Sequence, residues 1–171
     1  MGCDIDAWVE AKRGGRWTKS GPVFPLSEWE TKYYADRPGY RRHIWDERNY
    51  AMFGVLADVR NYSAVPPLDE PRGWPEDSPA DRDDEYWDCH SASYYTLKEL
   101  LDFDWSTPCE DRRVTVGGDG GCTCPPGAGQ MTTYAEHCGE RFMGDLKLLA
   151  EWARAEGLPP EDVRVVFAFN N

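Results

Sequence analysis

Hydrophobic and polar residues alternate from the start of the chain. Cys3, Ile5, Ala7 and Val9 fall on one side of an extended segment, and Asp4, Asp6, Trp8 and Glu10 on the other. That is the period of a β-strand. Gly14-Gly15 predicts a hairpin turn into a short strand, Arg16-Trp-Thr-Lys19. Residues 20–47 carry no clear period. From Arg48 to Arg60 the spacing becomes helical, with Met52, Val55, Leu56 and Val59 on one stripe, Asp46 as N-cap and Asn61 as stop. Residues 62–86 are rich in Pro and acid and read as a long loop.

Periodicity returns with a strand over Tyr86–Tyr95. Thr96-Leu-Lys-Glu99 is a capping box that opens a short helix with Leu97, Leu100 and Leu101 inward. Arg112–Val116 reads as a strand ending at Gly117-Gly-Asp-Gly-Gly121, a flexible surface loop. A second capping box, Thr133 to Glu136, opens the longest helix, whose stripe is Cys138, Phe142, Leu146, Leu149, Ala150 and Ala153. Gly139 and Gly144 each weaken it by about 1 kcal/mol relative to Ala, so a break is expected there. Gly157 and Pro159 stop it. Val163–Phe169 is apolar enough to be a central strand. Strands at both ends with helices between predict one α+β domain over residues 1–171. Its sheet is mixed or antiparallel, with the N- and C-terminal strands adjacent and two or three helices packed on it.

The charge balance narrows the partners. A net charge of −12 argues against wrapping a nucleic-acid backbone, where Lys and Arg must neutralise phosphates. Seven acids against one Arg lie between Glu76 and Asp88, so a basic protein is a natural partner for that stretch. No apolar run reaches the ~20 residues of a membrane helix, and no secretory signal is evident. The expected location is therefore cytoplasmic, and the six Cys are expected as thiols or metal ligands rather than a disulfide framework.

Three constellations could carry chemistry. Asp4, Asp6, Asp88 and His90 form two acid-x-ligand units on two strands, each on a same-facing pair of positions. Carboxylates with one imidazole suit a divalent cation such as Mg²⁺, Mn²⁺ or Ca²⁺. The competing reading makes them structural acids hydrogen-bonded to nearby Arg, with a satisfied His90. Cys122, Cys124, His137 and Cys138 are a weaker, zinc-like set, against which Cys138 fits the core stripe of the long helix. Arg37, Arg41, Arg42, Arg48, Arg60 and Arg72 stand among Trp and Tyr. Guanidinium forks and aromatic faces suit a nucleotide-like anion, or else pair internally with the chain's acids.

The chain resembles a family of uncharacterised small proteins of phages, prophages and bacteria that open Met-Gly-Cys-Asp-Ile-His. The resemblance rests on Met1-Gly-Cys-Asp-Ile-Asp6, Arg48-Asn-Tyr-Ala-Met-Phe53, Leu56-Ala-Asp-Val-Arg-Asn61, Pro71-Arg-Gly-Trp-Pro75, Asp88-Cys-His-Ser-Ala-Ser93, Thr96-Leu-Lys-Glu-Leu100 and Asp162–Asn171. Two departures matter: Asp6 replaces the usual His, and Asn170 the usual Asp. If that His binds a metal, the exchange of nitrogen for oxygen favours a harder ion over zinc.

The resemblance implies an accessory protein of phage type in the bacterial cytoplasm. Its expected pocket is lined by Asp4, Asp6, Asn49, Arg60, Asp88 and His90. Arg48, Asn49, Arg60, Asn61 and Arg72 are the expected contacts to a small anionic or nucleotide-like ligand, with hydrolysis or sequestration as the outcome. The alternative is an acidic interaction protein, a nucleic-acid mimic or inhibitor with an anti-defence role, that binds a basic host protein.

Overall fold

The computed structural model describes residues 2–80, 88–115 and 121–171. Strand β1 (Asp4–Arg13) turns through Gly14 and Gly15, both at positive φ, into β2 (Arg16–Lys19). The other two strands of the main sheet are β3 (His90–Thr96) and β8 (Val163–Asn170). The order is β2-β1-β8-β3 and every pairing is antiparallel. The N- and C-terminal strands are thus neighbours, in register from Asp4 opposite Asn170 to Ala11 opposite Val163.

Burial follows the alternation. Cys3, Ile5, Ala7 and Val9 join Val163, Val165, Phe167 and Phe169 in the main core. Strand β8 is buried on both faces from Val163 to Phe169, as a central strand should be. On the second face Trp8, Val166 and Ala80 form a smaller cluster with Trp74 and Tyr94. Glu10 is fully buried beside it. Its carboxylate accepts from Trp8 Nε1 at 2.8 Å, Ser78 Oγ at 2.5 Å and Arg164 Nε at 2.8 Å. Arg164 in turn lies over the Trp17 ring, 3.9 Å from its centroid.

Five helices are found among the described residues. Helix α1 (Glu28–Tyr33) falls where the sequence shows no period. Its capping box, Ser27 with Glu30, is intact, but Glu30 is its one buried residue, so it has no apolar stripe to detect. Helix α2 (Tyr50–Ala57) is shorter than Arg48–Arg60, and its N-cap is Asn49 rather than Asp46. Asp58 ends it in the left-handed conformation at φ 57°. All of Ala51–Ala57 is buried, so α2 is a core helix rather than a one-sided one. Gly54 lets Asn61 fold back on it, since a Cβ there would lie 2.7 Å from Asn61 Oδ1. Helix α3 (Leu97–Asp102) begins at the predicted Thr96 box. The long helix is broken at Gly139 into α4 (Tyr134–Cys138) and α5 (Glu140–Ala155). Gly139 has φ 89° and ψ 165°, a region open essentially to glycine alone.

Two further two-stranded antiparallel sheets are found among the described residues. Strand β4 (Pro108–Asp111) pairs with β7 (Gln130–Thr133), and β5 (Arg113–Thr115) with β6 (Gly121–Thr123). Only β5 falls within the predicted Arg112–Val116 strand, and β3 starts later than the predicted Tyr86. Residues 81–87 and 116–120, and with them most of the acidic run and of the Gly-rich loop, lie outside the described residues. All six Cys are free thiols.

Candidate functional site

The sheet register brings many of the sequence-predicted residues to one end of the sheet, where β1 begins and β8 ends. Asp4 lies opposite Asn170, and His90 opposite Phe169. The pairing of β3 shifts register between His90 and Ser93, and Ser91 sits at φ 50°. Arg60 also has φ 50°. Left-handed conformations at non-glycine residues cost on the order of 1–3 kcal/mol each and gather at functional sites, as bulges do.

Two arginines, one from each end of α2, reach this sheet end. Arg48 grips Asp4 as a fork, Nε to Oδ1 at 2.8 Å and Nη2 to Oδ2 at 2.7 Å, with both side chains about half exposed (51% and 55%). Gly2 lies so close that a Cβ would stand 2.5 Å from Arg48 Nη1. Arg60 donates to Tyr62 Oη at 3.4 Å and Asn171 Oδ1 at 3.1 Å. Between them the buried Cys3 donates its N–H to Tyr50 Oη at 3.1 Å. Burial pushes the Cys3 thiol pKa up, and Arg60 and Arg48 only partly offset it.

The orientation of His90 follows from its neighbours. Asn171 Oδ1 faces the donor-only Arg60, so its Nδ2 is the group 3.1 Å from His90 Nε2. That assigns Nε2 as an acceptor and Nδ1 as the donor to Ser91 Oγ at 3.0 Å. Asp6 accepts from Asn170 Nδ2 at 2.6 Å and from the Cys89 thiol at 3.7 Å. Burial, then the charges of Asp6 and Asp88, push the Cys89 pKa up to about 12, so this thiol stays protonated.

The four residues expected to share a cation therefore face different partners. Asp4 turns to Arg48, Asp6 to Asn170 and Cys89, His90 to Ser91 and Asn171, and Asp88 is exposed. Among the described residues no group of three or more His, Cys, Asp or Glu side chains is placed to hold a metal ion. The zinc-like set is dispersed too: Cys122 is exposed, while Cys138 is buried in the core with its pKa raised to about 12 by burial. His137 is buried with Nδ1 3.6 Å from Asp111 and no hydrogen-bond partner at Nε2 among the described residues.

Several expected ligand contacts serve the fold. Asn49 caps α2 by accepting from Met52 N at 3.1 Å, and donates to Cys138 O at 2.8 Å. Asn61 bridges Asp58 and the Val65 carbonyl. Arg72 pairs with Asp69 and Glu99 and lies over the Tyr95 ring. Sequence reasoning gave no role to Tyr50, Tyr62 and Asn171, which fix the sheet-end groups; no periodic signal marks them, although Tyr50 and Asn171 lie within the segments that carry the resemblance. Asp81, Asp83, Asp84 and Glu85 lie outside the described residues, and Asp77 pairs with Arg164 at 2.8 Å. No helix among the described residues is long and apolar enough to cross a membrane. No protein-family model, no curated protein and no solved structure matches this chain.

Proposed function

We propose that the sheet end binds a small phosphate-bearing, nucleotide-like anion and holds it without covalent chemistry. The observation that carries this reading is the pair of guanidinium groups from the two ends of α2, set around Gly2-Cys3 within a strained sheet end. Asp4 presents to Arg48 the same two-oxygen edge that a phosphate offers. An exposed ion pair of this kind is worth only about 0–1 kcal/mol, so an incoming phosphate can exchange with Asp4 at little cost. Arg60 already donates to neutral oxygens of Tyr62 and Asn171, and an anion is a better acceptor than either. Nucleophilic chemistry finds little support, because the Cys3 and Cys89 thiols are both held toward their protonated forms.

Isothermal titration with adenosine monophosphate and with inorganic phosphate tests this. A charge-assisted hydrogen bond contributes about 1.5–3 kcal/mol, so Arg60→Gln should weaken binding roughly 10- to 150-fold. Asp4→Asn should tighten it by removing the internal competitor. Absence of binding at millimolar ligand, or affinity untouched by Arg60→Gln, overturns the reading.

A further inference from the structure

Residues 74–80 form a strap, neither helix nor strand, across the second face of the main sheet. Just before it, Gly73 N donates to the Ala92 carbonyl at 2.8 Å, with Gly73 at φ 79°. From Trp74 to Ala80 no backbone group bonds to a described residue of the sheet; the strap's own turn, Ser78 N to Pro75 O at 3.2 Å, is local. Three side chains anchor it instead. The Trp74 ring stacks on Trp8, with centroids 5.7 Å apart and planes 20° from parallel. Asp77 accepts from Arg164 Nη1 at 2.8 Å, with Trp17 as a second donor. Ser78 Oγ donates to Glu10 at 2.5 Å.

The floor beneath is built without these anchors. Glu10 pairs with Arg164 Nε at 2.8 Å and Nη2 at 2.7 Å, and accepts from Trp8 Nε1. The Trp17 and Tyr94 rings flank the guanidinium at 3.9 and 5.6 Å. All of these groups stand on strands whose register is set by sheet pairing. Within five residues the strap supplies what a ligand would: an aromatic face for Trp8, a carboxylate for Arg164 and a hydroxyl for Glu10. Its carboxylate lies at the rim, with Asp77 63% exposed, where a competing carboxylate can reach the guanidinium at little cost.

We propose that this floor binds an acidic peptide segment of another protein, one with an aromatic residue three positions before an acid-hydroxyl pair, and that residues 74–80 occupy it as a built-in competitor. The peptide's ring stacks on Trp8, its carboxylate replaces Asp77 on Arg164, and its hydroxyl replaces Ser78 on Glu10. A tethered competitor acts at an effective concentration in the millimolar range, so the intact chain binds such a peptide weakly until the strap is lifted. Two copies of a chain of net charge −12 repel each other, which favours a foreign segment over the strap of a second copy. The sheet-end arginines take no part, so the proposal stands apart from the sheet-end reading.

A fluorescent peptide of the sequence Gly-Trp-Pro-Glu-Asp-Ser-Pro-Ala, that of residues 73–80, tests this by anisotropy on the full chain. It should bind the Trp74→Ala/Asp77→Ala double variant at least about tenfold more tightly than the wild type. The same peptide with Asn in place of Asp should lose at least about tenfold of that affinity. Arg60→Gln should leave binding unaltered. If circular dichroism shows the double variant unfolded, Asp77→Asn carries the same comparison; a chain that unfolds on Asp77→Asn as well needs the strap for its fold, and the proposal falls. No binding to the folded variant at about 1 mM peptide, or binding indifferent to the Asn exchange, overturns it. A wild-type dimer that the free peptide dissociates would assign the floor to a second copy and likewise overturn it.

Discussion

The Arg42–Asp145 pair offers a severe test of how residues 42–45 are held against α5. Both side chains are almost fully buried, 2% and 4% exposed. Arg42 donates Nη1 to Oδ2 at 2.7 Å and Nη2 to Oδ1 at 2.6 Å, and Trp45 N donates to Oδ2 at 2.9 Å. The same guanidinium reaches the Pro25 and His43 carbonyls. One ion pair thus ties residues 42–45 to α5. Asp145→Asn leaves a buried guanidinium without its counter-charge. Breaking a buried pair in this way costs about 3–5 kcal/mol. Asn keeps one acceptor oxygen, which places the loss near 3 kcal/mol, roughly a 6–12 °C fall in melting temperature for a chain of this size. Arg42→Met with Asp145→Leu removes both charges and should recover part of that loss. It should not recover all, because Trp45 N and two carbonyls then lose partners. Urea unfolding at constant m-value measures each term. A loss below about 1 kcal/mol for Asp145→Asn, or single-variant losses that simply add in the double variant, would refute the argument.

Three further outcomes are expected. Gly139→Ala should destabilise by about 1–3 kcal/mol, although Gly→Ala inside a continuous helix would gain about 1 kcal/mol, so the sign of the change in chemical denaturation decides whether the break is real. Burial raises the Glu30 pKa, but bonds from Arg141 and Ser27 outweigh it and bring it to about 2. Its folded value is therefore depressed, so its contribution is full above about pH 4.5 and fades as pH falls toward 2. The stability gap between the wild type and Glu30→Gln should narrow over that window, and a constant gap would refute the assignment. Timed alkylation followed by peptide mapping should label the exposed Cys122 first and the buried Cys3, Cys109 and Cys138 last; early labelling of Cys138 would contradict its place in the core.

The strands were legible where burial leaves a mark in the sequence, as an alternation or as an unbroken apolar run. The alternation over Cys3–Glu10 places β1 correctly because its side chains sort by face, and the unbroken run Val163–Phe169 places β8 because a central strand is buried on both faces. The capping boxes at Thr96 and Thr133 were equally readable. The same signature at Ser27 passed unnoticed because α1 is held by the buried Glu30–Arg141 pair at 2.6 Å rather than by an apolar stripe. Strands β4 and β7 escaped because each has four residues and mostly half-buried or exposed side chains. Sequence spacing put Asp4, Asp6 and His90 on the two neighbours of β8, and the register sets them at one end of the sheet without shared partners. Which oxygen each group faces depends on Arg48, Asn170 and Asn171, and side-chain competition of that kind leaves no periodic trace.

The place of β8 between β1 and β3 bears on how the chain comes off the ribosome. Asp6 and its partner Asn170 are separated by 164 positions. At typical elongation rates β1 waits on the order of 8–30 s for β8 to be made. Until then β1 has only the short hairpin with β2, and the edge that β8 will cover lies open. Charged side chains on a waiting strand discourage pairing with other chains. Asp4, Asp6 and Glu10 on the face opposite Cys3, Ile5, Ala7 and Val9 thus have a role before the fold exists. The sheet-end cluster cannot help β1 through that interval, because half of it arrives with β8.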